Sequence, residues 1–346
     1  MTARLPYKKI SLLALTLLLG LAAFAATTLA QEDTNQSSVG AIGIQVSSPV
    51  YNFGIDPGGS AQEIVKVRNV GSQTQTFYPE VFDFKSLNET GTPQFILAKE
   101  SENYTYSLAS WIKISTEGIT LKPNQSTALN FTINVPKSAE PGGRYAGILF
   151  GTSPPQTSGT QIAISNKVGA LLLVRVSGDA KELATLKEFS AAKNFFEYPP
   201  VDFVVRVENK GNVHVAPKGN IEIKDIFGRK VAVLPVNEKN GNVLPESIRR
   251  FDKDTDALTW KPGGFTIGRF SANLLLTYGN SGKQLSSSLS FWVIPWKILI
   301  VLLLAIIILI LLIIFGIKRY NRWVVSKAEK GQPQPSNPSS SPPPAG

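Results

Sequence analysis

Phe203-Val204-Val205-Arg206-Val207-Glu208-Asn209 is the stretch that decides the fold class. Val205 and Val207 alternate with Arg206 and Glu208, a period of two that turns one set of side chains to a core and the other to water, as a half-buried strand requires. The same pattern stands in Ile64-Val65-Lys66-Val67-Arg68-Asn69, 140 positions earlier. Each run closes on Asn-x-Gly, giving Val65-x-Val67-x-Asn69-x-Gly71 and Val205-x-Val207-x-Asn209-x-Gly211. Asn and Gly tolerate positive φ, so both closures are read as turns.

Residues 129–135, 221–224 and 270–276 alternate in the same way, and Lys122-Pro123-Asn124 and Lys261-Pro262-Gly263 are Pro-led turns ahead of strands. In the external part, only residues 180–187 carry the spacing of a short helical turn. The expected fold is all-β: two tandem immunoglobulin-like antiparallel β-sandwiches, at residues 40–178 and 183–294, each burying one face of every strand. Gly178-Asp179-Ala180 marks the boundary between them.

The ends of the chain set its address. Residues 298–317 are uncharged and are followed at once by Lys318 and Arg319. A helix of that length rises about 30 Å, the thickness of a bilayer core, and is read as a transmembrane segment. Lys297 alone precedes it, whereas Lys318, Arg319, Arg322, Lys327 and Lys330 follow it, so the positive-inside rule puts the C-terminus in the cytoplasm. Trp292 and Trp296 on one side, with Tyr320 and Trp323 on the other, stand where aromatic belts form. Residues 318–346 read as a cytoplasmic tail, basic at first and then Pro/Ser-rich and disordered. At the other end, Arg4, Lys8 and Lys9 precede an apolar run and then Thr28-Leu29-Ala30. Residues 1–30 are read as a secretory signal peptide cut after Ala30, the other reading being an uncleaved anchor. Residues 31–39 are polar and read as disordered.

This topology accounts for the charge. The chain carries a net +10, of which residues 31–296 hold only +2. The nearly neutral external part removes nucleic acid from the expected partners. There is no cysteine in the chain, which favours a bacterial surface protein held by sheet packing alone. Asn35, Asn88, Asn103, Asn124 and Asn130 begin Asn-x-Ser/Thr triplets, which carry no meaning in a bacterial chain.

No catalytic residue, cofactor site or metal site is expected. His214 is the only histidine, lies between Val213 and Val215, and has no cysteine or Gly-x-Ser-x-Gly elbow to work with. Asp252, Asp254 and Asp256 repeat like a calcium loop, but Ala257 occupies the sixth position and Gly263 the twelfth, so a solvated loop is expected. Glu80, Asp83, Asp202 and Glu208 are carboxylates of the kind a glycosidase pairs, and sequence spacing does not single out two of them. Tyr104, Tyr106 and Trp111, and Phe195, Phe196 and Tyr198 ahead of Pro199-Pro200, are aromatic clusters. Both are expected in cores or domain contacts, the second between the modules, with sugar stacking as the other reading.

Leu121-Lys122-Pro123, Val135-Pro136-Lys137 and Pro141-Gly142-Gly143-Arg144-Tyr145 resemble the peptidoglycan-binding domain of the WxL-interacting proteins of bacterial cell surfaces. Asn209-Lys210-Gly211-Asn212-Val213-His214, Pro217-x-Gly219, Ile223-Lys224-Asp225-Ile226-Phe227-Gly228 and Asn242-Val243-Leu244-Pro245 resemble the host-binding domain that follows there. The resemblance implies an anchored, non-catalytic adhesion or scaffold protein that contacts cell-wall polymer and other surface proteins. It transfers no binding site: the Gly and Pro positions are expected to set turns, and Ile223 and Ile226 to fill a core. A chaperone-like assembly factor for exported proteins is the alternative, and a glycan-acting enzyme the third reading. The ligand is looked for on the first, outward-facing module.

Overall fold

A computed structural model of the chain describes residues 43–96, 101, 103–154 and 167–330, with side chains as far as residue 326. The signal-peptide reading of residues 1–30, the polar stretch 31–39 and the Pro/Ser-rich residues 331–346 lie outside the described residues.

Two immunoglobulin-like β-sandwiches and one long C-terminal helix account for the described chain. In the first sandwich, β1 (Ile44–Val46), β3 (Ser60–Asn69), β8 (Ser126–Asn134) and β6 (Ile112–Ile114) form one sheet in that order. The facing sheet runs β2 (Val50–Ile55), β10 (Val168–Val176), β9 (Gly142–Gly151), β4 (Gln75–Leu87), β5 (Thr92–Phe95), with β7 (Ile119–Leu121) also on β4. In the second, β11 (Ala184–Ala191), β13 (Val201–Asn209) and β16 (Ser247–Phe251) form one sheet, with β17 (Thr259–Trp260) on β13. Opposite it lie β12 (Phe195–Phe196), β19 (Lys283–Val293), β18 (Gly268–Tyr278), β14 (Lys218–Lys224) and β15 (Lys230–Val236).

The two sandwiches share a plan. In each, the first strand lies in one sheet, the second crosses over and pairs parallel with the last strand: β2 with β10, and β12 with β19. The other strand pairs are antiparallel. Alternation does the burying, since along β13 every second side chain from Val201 to Val207 is wholly buried. Phe203, Trp260, Phe270 and Phe291 meet in the second core at centroid spacings of 4.9–5.8 Å, mostly edge-on or tilted. A separate core fills the first sandwich, with Phe131 edge-on to Tyr51 and Phe53.

The repeated Asn-x-Gly closures do a different job from the one expected. Neither Asn69 nor Asn209 has positive φ; among described residues of the Pro-led turns it is Asn124 that does, at 64°. The Asn209 side chain, fully buried, donates from Nδ2 to Val213 O at 2.8 Å and Val243 O at 2.9 Å, and accepts from Gly211 N at 2.9 Å. Asn69 repeats the set, donating to Gln73 O at 2.8 Å and Leu121 O at 2.9 Å and accepting from Gly71 N at 2.9 Å. Each amide thus ties a turn carbonyl to a carbonyl on a neighbouring segment; Val243 O also accepts from Val215 N at 3.1 Å. Gly211 is there for close approach, because a Cβ would stand 2.1 Å from Lys181 O.

Three further expectations are corrected. Residues 184–187 belong to β11, not to a helical turn. Pro141-Gly142-Gly143-Arg144-Tyr145 runs into β9, buried on both faces along its length, because the second sandwich covers the outward face at Gly143 and Tyr145 while Phe95 and Lys167 of the first lie over Gly147 and Gly151. Ile223 is buried, but Ile226 is 66% exposed at the tip of the β14–β15 turn.

The chain passes from Val293 to α2 (Trp296–Lys330) through Ile294 and Pro295, so the second sandwich abuts the helix. (A first short helix, α1, spans Lys253–Asp256.) The stretch of α2 from Trp296 to Ser326 is long and apolar enough to cross a membrane, and none of its most apolar window is buried against the rest of the chain. The helix continues through the basic stretch that was read as the start of the tail.

Candidate functional site

The second sandwich docks on the outward face of the sheet formed by β2, β10, β9, β4 and β5. Phe84, Tyr145, Leu173 and Leu244 form a small third core there. Gly143 shapes it: a Cβ at that position would meet the Tyr145 hydroxyl at 1.9 Å, so only glycine lets the ring lie along its own strand. Its hydroxyl thereby accepts from His214 N at 2.8 Å and stands 3.3 Å from Nδ1. Around this core the contacts are polar. Asn212 O accepts from Gly143 N at 2.8 Å, Asn212 Nδ2 donates to Pro141 O at 3.1 Å, and Arg250 N donates to Glu89 O at 2.7 Å. Arg206 forks onto both oxygens of Glu89, through Nε at 2.7 Å and through Nη2, and reaches Glu188 at 3.1 Å. Hydrogen bonding to Arg206 holds the Glu89 carboxyl below its usual range.

His214 is the titrating element of this contact. Burial pushes its pKa down to about 4, with the Arg175 charge acting in the same sense. Between that value and the unfolded value near 6.5 the unfolded chain binds the extra proton, so stability rises with pH. The full contribution is present above pH 6.5 and is lost at about 1.4 kcal/mol per pH unit as the pH falls toward 4. Denaturant titrations at pH 7 and pH 5 are expected to show this loss, and His214→Gln to remove it; an unchanged pH slope in the variant would refute the assignment.

Beside the docked core the two sandwiches leave a groove. Its first cavity, about 340 Å³, lies over β2 and β10, where Val50, Asn52, Leu171 and Leu173 share the outward face. Its second, about 410 Å³, adjoins at Asn52 and Asn242 and is lined by Gly54, Arg175, Glu182 and His214 among others. Among the described residues β2 is the last strand of its sheet, with an unpaired outer edge, and its Val50, Asn52 and Gly54 line the groove.

The two ends differ electrically. Among the described residues, the first cavity is lined by Lys85, Lys239 and Arg249 and by no acidic one. Arg249 is half-buried, with its guanidinium wedged between Gly91 and Gly241, where a Cβ on either would stand 2.4 Å away. Nη1 donates to Asn242 O at 2.9 Å, but Nε finds no partner among the described residues. Burial pushes this guanidinium down from its ordinary value, the Asp256 charge acts in the opposite sense, and the group lies over the Phe251 ring at 5.6 Å. The second cavity is balanced. Burial alone would raise the Glu182 carboxyl, but Arg175 and the Asn280 N–H hold it below its usual range.

The sequence candidates take other places. Asp83, 1% exposed, accepts from Ser107 Oγ at 2.6 Å and from Leu108 N and Ala109 N at 2.7 Å, and also from Ser101 Oγ. Glu80 pairs with Lys167, Glu208 with Lys187 and Lys210, and Asp202 accepts from Thr259 Oγ1. Asp252 caps α1 by accepting from Asp254 N and Thr255 N, and Asp256 accepts from Asn237 N. Tyr104 donates to Phe84 O and Tyr106 to Glu246, which puts this cluster at the docking contact. Trp111 lies beneath the Arg144 guanidinium. The second cluster is not between the modules. Phe196 enters the second core, while Phe195 and Tyr198 are exposed beside β19, at the end of the sandwich next to α2. Arg249 escaped sequence reading because its setting is made by glycines 158 and 8 positions away.

No protein-family model matches the chain, and no curated protein matches it. Among solved structures, the class 5 fimbriae chaperone CfaA is 13% identical with a TM-score of 0.34, the match covering 73% of this chain and 99% of that one. The Pseudomonas aeruginosa CupB2 chaperone is 13% identical at 0.32, covering 68% and 96%, and the E. coli chaperone DraB 13% identical at 0.32, covering 70% and 95%. Similarity this low identifies neither a function nor a partner.

Proposed function

We propose that this is a non-catalytic, membrane-anchored binding protein of a bacterial envelope, which holds an extended segment of another surface or exported protein in the groove between its sandwiches. One observation carries the reading: the half-buried Arg249 guanidinium stands in a cavity that, among the described residues, is lined by three basic residues and no acidic one. An acidic side chain or terminal carboxylate would complete that site. The unpaired edge of β2 would give the same segment main-chain hydrogen bonds, as in strand addition. Orientation follows the basic end of α2, with both sandwiches outside the cytoplasmic membrane. Held permanently, the partner makes the protein a scaffold; held during export, it makes it an assembly factor.

Photocrosslinkers at Asn52 and Asn242 in the full chain, expressed in its own cells, are expected to trap a protein, and one at Lys66 is not. Arg249→Gln should weaken capture at least about tenfold, the worth of one charged hydrogen bond. Pulse-chase labelling separates a lasting scaffold partner from a transient client. Crosslinks to wall glycan alone, or equal yields from Lys66, would overturn the groove as a protein-binding site.

A further inference from the structure

We infer that the helix-proximal end of the second sandwich is a lipid-contact surface, seated in the headgroup region of the leaflet that α2 enters; this rests on the reading of α2 as a membrane span. Strand register brings separate loops to that one end. Gly268 pairs with Val293, Phe195 with Trp292, and Val201 with Trp260. Lys224 pairs with Ser271, so the β14–β15 turn beyond it points toward the level of Gly268. Val293 is two residues from α2, which places all these loops beside the start of the span.

What they present there is apolar. Phe195 is 53% exposed, Tyr198 48%, Trp292 42%, Phe227 79%, Phe265 73% and Ile267 46%. Among the described residues outside α2, the exposed aromatic side chains are these five rings and no others, and every one is at this end. A water-facing sandwich end has no use for five rings, whereas the headgroup region is where amphipathic and aromatic side chains settle. Exposed cations are interleaved with them, Lys193 and Lys261 on the loops and Arg269 at the start of β18, placed to meet lipid phosphates, while Arg229, over the Phe227 ring at 5.3 Å, is paired with Asp225 at 2.7 Å. Continuity with α2 selects lipid as the occupant, because the leaflet is the one surface already brought to these loops by the chain itself. The collar would fix the height and tilt of the groove above the membrane.

The absence of cysteine allows the test to be made with single labels. Phe227→Cys, Phe265→Cys, Val70→Cys and Ile306→Cys, each in the full chain with a nitroxide, are reconstituted in phospholipid nanodiscs. Collision with oxygen and with a water-soluble nickel chelate then gives depth. The labels at 227 and 265 are expected at headgroup depth, with chelate accessibility at least about threefold below that at 70, while 306 reads the bilayer core. Labels at 227 and 265 as accessible to chelate as at 70, with 306 in the core, would overturn the collar and leave the span standing. Labels shielded from both reagents alike would also overturn it, since that marks a protein contact. A chelate-accessible 306 would remove the span and the inference with it.

Discussion

Asn209→Asp is expected to destabilise the second sandwich by about 3–5 kcal/mol, although it changes neither the size nor the shape of the side chain. The amide donates to Val213 O and Val243 O and accepts from Gly211 N, all in a fully buried position. A carboxylate keeps the acceptor but turns two donors into repulsion against two carbonyl oxygens, with no solvent to relieve it. Trp260, 4% exposed in the second core, reports the loss by fluorescence during denaturant unfolding of the full chain in micelles. Trp111, packed on the first core, serves as the internal reference. Asn69→Asp should reverse the pattern, shifting the Trp111 transition. A midpoint within error of the parent for both variants would refute the shared role of the two asparagines.

Asp83→Ala is expected to cost the first sandwich a similar amount, about 3–5 kcal/mol, and to loosen the docking of the second. The buried carboxylate gathers two backbone N–H groups, of Leu108 and Ala109, and the hydroxyls of Ser101 and Ser107. Without it those donors stay buried and unmet, and the segment that carries Tyr104 and Tyr106 loses its fastening. Tyr106 reaches Glu246 of the second sandwich at 3.1 Å, and Tyr104 holds Phe84 O beside the third core, so the effect should cross the interface. Amide exchange would show it: faster exchange at residues 103–111 and also at Gly143 N and His214 N, which donate across the contact. Faster exchange confined to residues 103–111 would mean that the clasp does not support the docking.

The fold was legible because each strand declares itself locally. Val205 and Val207 against Arg206 and Glu208 need no knowledge of the rest of the chain to be read as a strand with one wet face. β9 was not legible in this way, since both of its faces are covered and alternation vanishes when there is no wet face to mark. The Asn-x-Gly repeat was seen, but its meaning was not. Residue type suggested a turn conformation, whereas the need came from carbonyls of Leu121 and Val243, 52 and 34 positions further along. Residue type alone sends both Ile223 and Ile226 to a core; the turn after Lys224 carries Ile226 out to the surface instead. Phe195 and Tyr198 were placed between the modules by their nearness to the boundary in sequence, yet parallel pairing with β19 takes them to the opposite end.

By itself, then, the sequence determined those properties that depend on neighbours within a few residues or on composition: strand periodicity, the apolar length of the C-terminal helix, the near-neutrality of residues 31–296 and the absence of cysteine. Hydrophobic burial and bilayer thickness act on such short stretches directly, so composition and spacing suffice. Only the tertiary structure decided where a site can be. The groove joins β2 and β10 of one sandwich to Asn242 and Arg249 of the other, and the rings near α2 converge from three loops. Both arise from pairing and docking between segments far apart in the chain, and Arg249 in particular is seated between two glycines, one of them in the other sandwich, that its own surroundings in sequence do not reveal.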